Sequence, residues 1–293
     1  MKKWENTGDR VLPIAFIVFF IMLWEILIKV YHIPKYILPA PSGILDALIY
    51  NREILWEHTK TTIFEAGVGF FAATIFAVFI SGLMNKYKLL KKVVYPIFVI
   101  SQTIPIIALA PLFMIWLGFG ILPKVVIVVL VCFFPIAVSV IEGLATVDED
   151  LINLMKVMGA NPYQIFMKVQ LPSTLPAFFS GLKIAATYSI MGAVLAEWIG
   201  AKSGLGVYMT RAMSSFSIEA LFADIFIVVL LSIGIFQLIE IFSKKIMPWN
   251  QEKSQRRDSN DKKSKSFINW SIGNGFRFIR LRSEERGSTK GRE

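Results

Sequence analysis

Long apolar runs alternate with short polar stretches along this chain of 293 residues. A helix needs about 20 apolar residues to cross the hydrocarbon of a bilayer. Six runs approach or exceed that length: residues 11–31, 63–84, 93–117, 122–141, 177–199 and 221–242. The pattern predicts an all-α integral membrane protein with about six transmembrane helices. The third run carries Pro96, Pro105 and Pro111. Such prolines are tolerated where neighbouring protein groups satisfy the freed carbonyls. This span is therefore expected to be bent or broken, and buried in protein rather than lipid.

The polar stretch at 148–172 is patterned differently. Leu151, Leu154, Met155 and Met158 recur at i, i+3, i+4 and i+7, one stripe of a helix. Asp148, Glu149 and Asp150 stand where carboxylates complement the helix dipole, and Gly159 is placed as a C-cap. Asn161, Pro162 and Gln164 then form a second helix start with a capping box. Ile165, Phe166 and Val169 line that helix, and Pro172 and Pro176 are expected to limit its continuation into the fifth span. Periodicity leaves two readings open: a docking surface for a partner protein, or an interfacial hairpin lying on lipid or on the bundle.

Composition agrees with a membrane chain. Hydrophobic residues make up 55% and mean hydropathy is +0.60, above what a soluble domain needs. The net charge of +10 reads as inside-facing charge on a membrane protein rather than as nucleic-acid binding. Lys2, Lys3 and Arg10, then Lys86, Lys88, Lys91 and Lys92, then Lys244, Lys245, Arg256 and Arg257 fall on one side of six alternating crossings. Lys35, Arg52, Lys60, Lys124, Lys202 and Arg211 are spread thinly on the other. By the positive-inside rule both termini and the 148–172 loop are cytoplasmic. The N-terminal run is read as an uncleaved first span, because it is long and Glu5 and Asp9 dilute its positive start. Three regions follow: 1–62, first span and outer loop; 63–249, the transmembrane core; 250–293, a disordered basic tail. Within the tail, 267–282 mixes aromatic and arginine residues. It is either a segment lying on the anionic leaflet or a dispensable extension.

Several chemistries are excluded. Cys132 is the single cysteine, so there is no intrachain disulfide and no cysteine-cluster metal site. With His32 and His58 the only histidines, no metal centre and no catalytic set is assigned. No Gly-x-x-x-x-Gly-Lys-Ser/Thr loop is present, so nucleotide is handled elsewhere. Polar groups inside spans are costly and face protein or a water-filled cavity. Ser101, Gln102 and Thr103 beside Pro105 are candidates for a translocation path, or for interhelical glue. Tyr188 and Ser189, mid-way along the fifth span, suit a small heteroaromatic solute or simple core packing. Glu197 is a further path candidate near a span end, where it could equally reach water, beside Trp198 as an interface residue. Glu25 and Glu65, also near span ends, are given no role, and Lys183 is read as snorkelling. An ion-driven secondary transporter is the alternative class, although it normally shows inverted repeats and membrane-embedded acids.

The 148–172 stretch resembles the cytoplasmic signature of binding-protein-dependent ABC importer permeases: Glu-Ala-Ala, three residues, Gly, nine residues, Ile-x-Leu-Pro. Gly159, nine residues, and Val169-Gln170-Leu171-Pro172 match its second half. Asn153-Leu154-Met155 replaces Glu-Ala-Ala, so no acid is available there for a salt bridge. The resemblance implies the type I ABC importer permease fold. It implies that Leu151, Leu154, Met155, Met158, Gly159, Leu171 and Pro172 form a coupling loop inserted into an ATPase. It implies as partners an ATPase pair using ATP and Mg, an extracytoplasmic solute-binding protein and a second permease chain, most simply as a homodimer. This chain itself would bind no cofactor. Pro39-Ala40-Pro41-Ser42 resembles the subfamily importing nitrate, taurine, aliphatic sulfonates and thiamine precursors. Residues 101–111, 181–193 with Glu197-Trp198, and Gly204-Leu205-Gly206-Val207-Tyr208-Met209 look most like permeases for pyrimidine thiamine precursors such as formylaminopyrimidine or hydroxymethylpyrimidine. Permeases for riboflavin look related as well.

Overall fold

A computed structural model describes residues 7–249, without side-chain placement for 7–11 and 88. The readings made for 250–293 lie outside the described residues. The order is α1 (Thr7–Val30), α2 (Pro41–Tyr50), α3 (Arg52–Lys86), α4 (Lys88–Ser101), α5 (Ile106–Leu117) and α6 (Ile121–Ala145). It continues with α7 (Glu149–Val157), α8 (Pro162–Ile165), a π-helical turn (Phe166–Gln170), α9 (Leu171–Glu197), α10 (Leu205–Ser214) and α11 (Ile218–Ile246). No strand occurs among the described residues.

Among the described residues, five helices are long and apolar enough to span a membrane, or six counting the pair α4–α5 as one bent span. That pair turns through 100° at the Ser101–Pro105 break. Pro105 cannot donate to a helical carbonyl and disfavours αR at Ile104, so the helix stops and restarts. The predicted break is present. Burial is not supplied by this chain itself: among the described side chains α4 has none buried and α5 only Ala110 and Met114. Helices of this chain leave that pair open.

Two boundaries also differ from the hydropathy reading. α3 begins at Arg52, so the division at 62/63 falls inside one continuous helix. At 35 residues it runs about 50 Å, longer than the ~30 Å of hydrocarbon, and its polar first turns project beyond. α9 begins at Leu171 and passes through both Pro172 and Pro176. The chain is helical without a break from Pro162, so Pro172 and Pro176 each withhold an N–H from a carbonyl one turn back. The π-helical turn immediately before absorbs the remaining distortion.

The core is α3, α6 and α9. Ala66, Ala73 and Ala77 of α3 pack with Val128, Cys132, Ile136 and Ala137 of α6 and with Ala185, Ile190 and Ala193 of α9. Lipid offers no hydrophobic drive between helices, so small side chains that let backbones approach give the contact. A Cβ on Gly181 would stand 2.5 Å from the Pro135 carbonyl oxygen and 2.5 Å from Ser139 Oγ. Two polar ties cross these interfaces. Ser81 Oγ donates to the Ala137 carbonyl and Cys132 Sγ to the Ala185 carbonyl, each at 3.2 Å. α1 is almost wholly exposed, whereas α11 lays one side on the core through Ile227, Val228, Leu231 and Ile235. α1 is pinned to α2 by Glu25, whose carboxylate accepts from the Ser42 amide (3.0 Å) and hydroxyl (2.9 Å) and pairs with Lys29 (2.7 Å). Glu25 thus gains a role that sequence reading did not give it. One compact unit runs to Ile241; in the next, the Met247 amide closes a turn on the Ser243 carbonyl at 3.0 Å.

Candidate functional site

At one end of the core lies the loop α7–α8. Asp148 caps α7, its carboxylate accepting from the Asp150 amide at 2.9 Å. Gly159 follows at φ +79°, with the Ala160 amide on the Met155 carbonyl (2.9 Å) and its own amide on that of Lys156 (3.0 Å). These two bonds are a Schellman closure, which requires the left-handed conformation that glycine adopts freely. Asn161 and Gln164 then complete the capping box, at 2.8 and 2.9 Å. Turn for turn, the local structure follows the local sequence.

The apolar face of α7 is rotated from the predicted stripe. Leu151, Leu154 and Met158 are exposed as expected, and Val157, at 86% exposure, joins them. Met155 turns inward and is half-buried, as is Ile152. Sequence reading missed Val157 because a four-position stripe ignores apolar residues flanking it. Leu171 and Pro172 are half-buried in the first turn of α9 and so lie off this surface. Leu171 instead lines an apolar cavity of about 180 Å³ with Val78, Gly82, Val140 and Phe166.

The path candidates separate. Ser101, Gln102 and Thr103 all sit at the α4–α5 break, with Gln102 and Thr103 exposed. The hydroxyls of Ser101 and Thr103 return to the carbonyls of Phe98 (2.8 Å) and Ile100 (2.7 Å), serving the broken backbone. Tyr188 is exposed on the open face of α9 with Ile184 and Met191. Ser189 is 100° further round the helix. It is buried at 1% exposure and donates to the Ala186 carbonyl at 2.7 Å, so it does not share the face of Tyr188.

Glu197 also differs from expectation, because it reaches neither water nor an open channel in this chain: it is 1% exposed. At the end opposite α7, the start of α10 presents the amides of Gly204, Leu205 and Gly206, which no helical carbonyl can take. His58 Nδ1 accepts from Gly204 at 2.9 Å, Thr62 Oγ1 from Leu205 at 2.8 Å and Glu197 Oε2 from Gly206 at 2.7 Å. Thr62 in turn donates to Glu197 Oε1 at 2.7 Å. The glycines permit this closeness. Gly204 is at φ +128°, and a Cβ there would overlap the Glu197 carboxylate; one on Gly206 would overlap the Val194 carbonyl. Beside this cap, Glu65 and Lys124 form a buried ion pair. Glu65 had no assigned role, and Lys124 was counted only as scattered charge. Among the described residues no group of His, Cys, Asp and Glu could hold a metal ion.

This arrangement of spans and loop matches known transport proteins. The family model described as "Binding-protein-dependent transport system inner membrane component" matches residues 67–248. The chain belongs to this family. Members of the family are ABC importer permease subunits, transport components rather than enzymes, in a multi-pass inner-membrane setting with ATPase and solute-binding partners. Among relatives, the formylaminopyrimidine transport permease protein ThiX of Halalkalibacterium halodurans is 36% identical over 82% of this chain and 96% of its own. A probable ABC transporter permease protein of Haemophilus influenzae is 33% identical over 78% of this chain and 93% of its own. In fold, the permease resembles a chain of the MetNI methionine ABC transporter in an inward-facing conformation, with TM-score 0.54 at 22% identity over 63% of this chain and 94% of that one.

Proposed function

We propose that this permease carries a pyrimidine precursor of thiamine, formylaminopyrimidine or hydroxymethylpyrimidine, inward across the cytoplasmic membrane. The observation that carries this reading is the 36% identity to a formylaminopyrimidine permease across four-fifths of the chain. In this reading two copies pair, both termini and the α7–α8 loop are cytoplasmic, and α10 faces outward. ATP and Mg stay on the ATPases, and this subunit binds no cofactor. The exposed apolar face Leu151, Leu154, Val157 and Met158 docks on the ATPase, with Gly159 setting the angle at which α8 leaves it. The unburied α4–α5 bend, carrying Gln102, and the open face of α9, carrying Tyr188, are the surfaces of this chain left for the path and the second copy.

A ligand screen on the cognate solute-binding protein tests the substrate. Stabilisation by formylaminopyrimidine or hydroxymethylpyrimidine, and not by riboflavin, taurine or an alkanesulfonate, is the expected result. Stabilisation by riboflavin or a sulfonate alone overturns the substrate while leaving the permease.

A further inference from the structure

The cap on α10 leaves a polar cavity beside it. The cavity holds about 290 Å³ and is lined by Asn51 and His58 of the α3 end, Tyr208, Arg211 and Ser215 around α10, and Ser217 before α11. His58 and Tyr208 are 7% and 9% exposed, with ring centroids 5.7 Å apart, so both are held in place.

The chemistry of this lining is one-sided. Because His58 Nδ1 accepts the Gly204 amide, the neutral ring carries its proton on Nε2. That N–H has no partner among the described residues, and neither has the Tyr208 hydroxyl or the Ser217 hydroxyl. Arg211 gives one guanidinium nitrogen to the Lys202 carbonyl at 3.3 Å. A guanidinium has five donors in all, so most of its fork stays available. No Asp or Glu lines the cavity; the nearest acid is the buried Asp224, one turn of α11 past Ala220, whose carboxylate stands behind the wall within electrostatic range of Tyr208. Four residues with unspent donors, one of them a permanent cation, line a space whose wall carries no carboxylate. Fork-and-hydroxyl sets of this kind bind oxyanions through charge-assisted hydrogen bonds.

We infer that the cavity between α3, α10 and α11 is a binding site for a phosphate-class oxyanion, with Arg211 as its charge and His58, Tyr208 and Ser217 as its donors. The cavity stands at the end of the spans, where phosphate comes either from solution or from the headgroup of an anionic lipid.

The test uses the full chain, wild type and Arg211→Gln, in two arms. In detergent, thermal unfolding is followed against inorganic phosphate at constant ionic strength. In nanodiscs, it is compared between phosphatidylglycerol and phosphatidylcholine. A phosphate shift in detergent that is weakened about tenfold or more by Arg211→Gln supports a free oxyanion. A shift seen only with phosphatidylglycerol, and lost in Arg211→Gln, supports a lipid headgroup. No shift in either arm, or one that Arg211→Gln leaves unchanged, overturns the proposal. Should Arg211→Gln fail to fold, Ser217→Ala serves with the same reading, and Lys202→Gln, outside the wall, is expected to match wild type.

Discussion

Thr62 donates to the Glu197 carboxylate at 2.7 Å across 135 residues of chain, and the same carboxylate holds the first turn of α10 through Gly206. One hydroxyl and one carboxylate therefore join α3, α9 and α10. Thr62→Val and Glu197→Ala each leave a buried partner unsatisfied, at about 1–3 kcal/mol apiece. Thermal unfolding of the two single variants and the double variant should show sub-additive losses: the double is worse than either, because Leu205 and Gly206 both lose an acceptor, but by less than the sum, because the Thr62–Glu197 bond is lost only once. Additive losses would mean that the two groups act separately.

Lys124 and Glu65 are both buried, and removing one leaves an uncompensated charge in a low-dielectric site. Lys124→Met alone is expected to cost about 3–5 kcal/mol or to abolish folded yield. Lys124→Met with Glu65→Leu should recover much of that loss, because both charges are then gone. Yield and melting of the purified permease measure it, and a double variant as poor as the single one refutes the pairing.

Gly159 lies at φ +79° with open space where a Cβ would stand. A side chain there meets backbone strain of about 1–2 kcal/mol and no clash. Gly159→Val should leave the spans folded while reducing solute-stimulated ATP hydrolysis, and Gly159→Asn, better tolerated in this conformation, should retain more. Full stimulation in Gly159→Val would remove this turn from coupling.

Leu154 and Val157 are exposed on α7, at 55% and 86%. In the proposed assembly, Leu154→Glu and Val157→Glu place a charge in an apolar interface. Both should reduce co-purification of the ATPase and leave melting of the isolated permease unchanged. Val157 is the sharper of the two, since the sequence stripe alone excludes it.

What was legible follows the range of the interaction. The spans, the proline break near Pro105, the capping box at Asn161–Gln164 and the glycine closure at Gly159 are all local, and each reads off a few neighbouring residues. The π-helical turn at Phe166–Gln170 has no composition of its own; it arises where the carbonyls ahead of Pro172 and Pro176 lose their donors. The facing of Ser189 depends on which side of α9 meets the bundle, which only tertiary packing fixes. The cap on α10 is drawn from His58, Thr62 and Glu197, residues far from it in sequence. One signal was available: Glu65, Lys124 and Glu197 are charges within or beside apolar runs, and such groups in a membrane protein usually find one another.

ATP-driven uptake decides the central claim. The purified permease, its ATPase and its solute-binding protein are placed in proteoliposomes, and accumulation of labelled formylaminopyrimidine is followed. Accumulation that requires ATP and the binding protein, and that falls with Gly159→Val, is the expected result. Accumulation driven by an ion gradient without ATP, or transport indifferent to the binding protein, would contradict it.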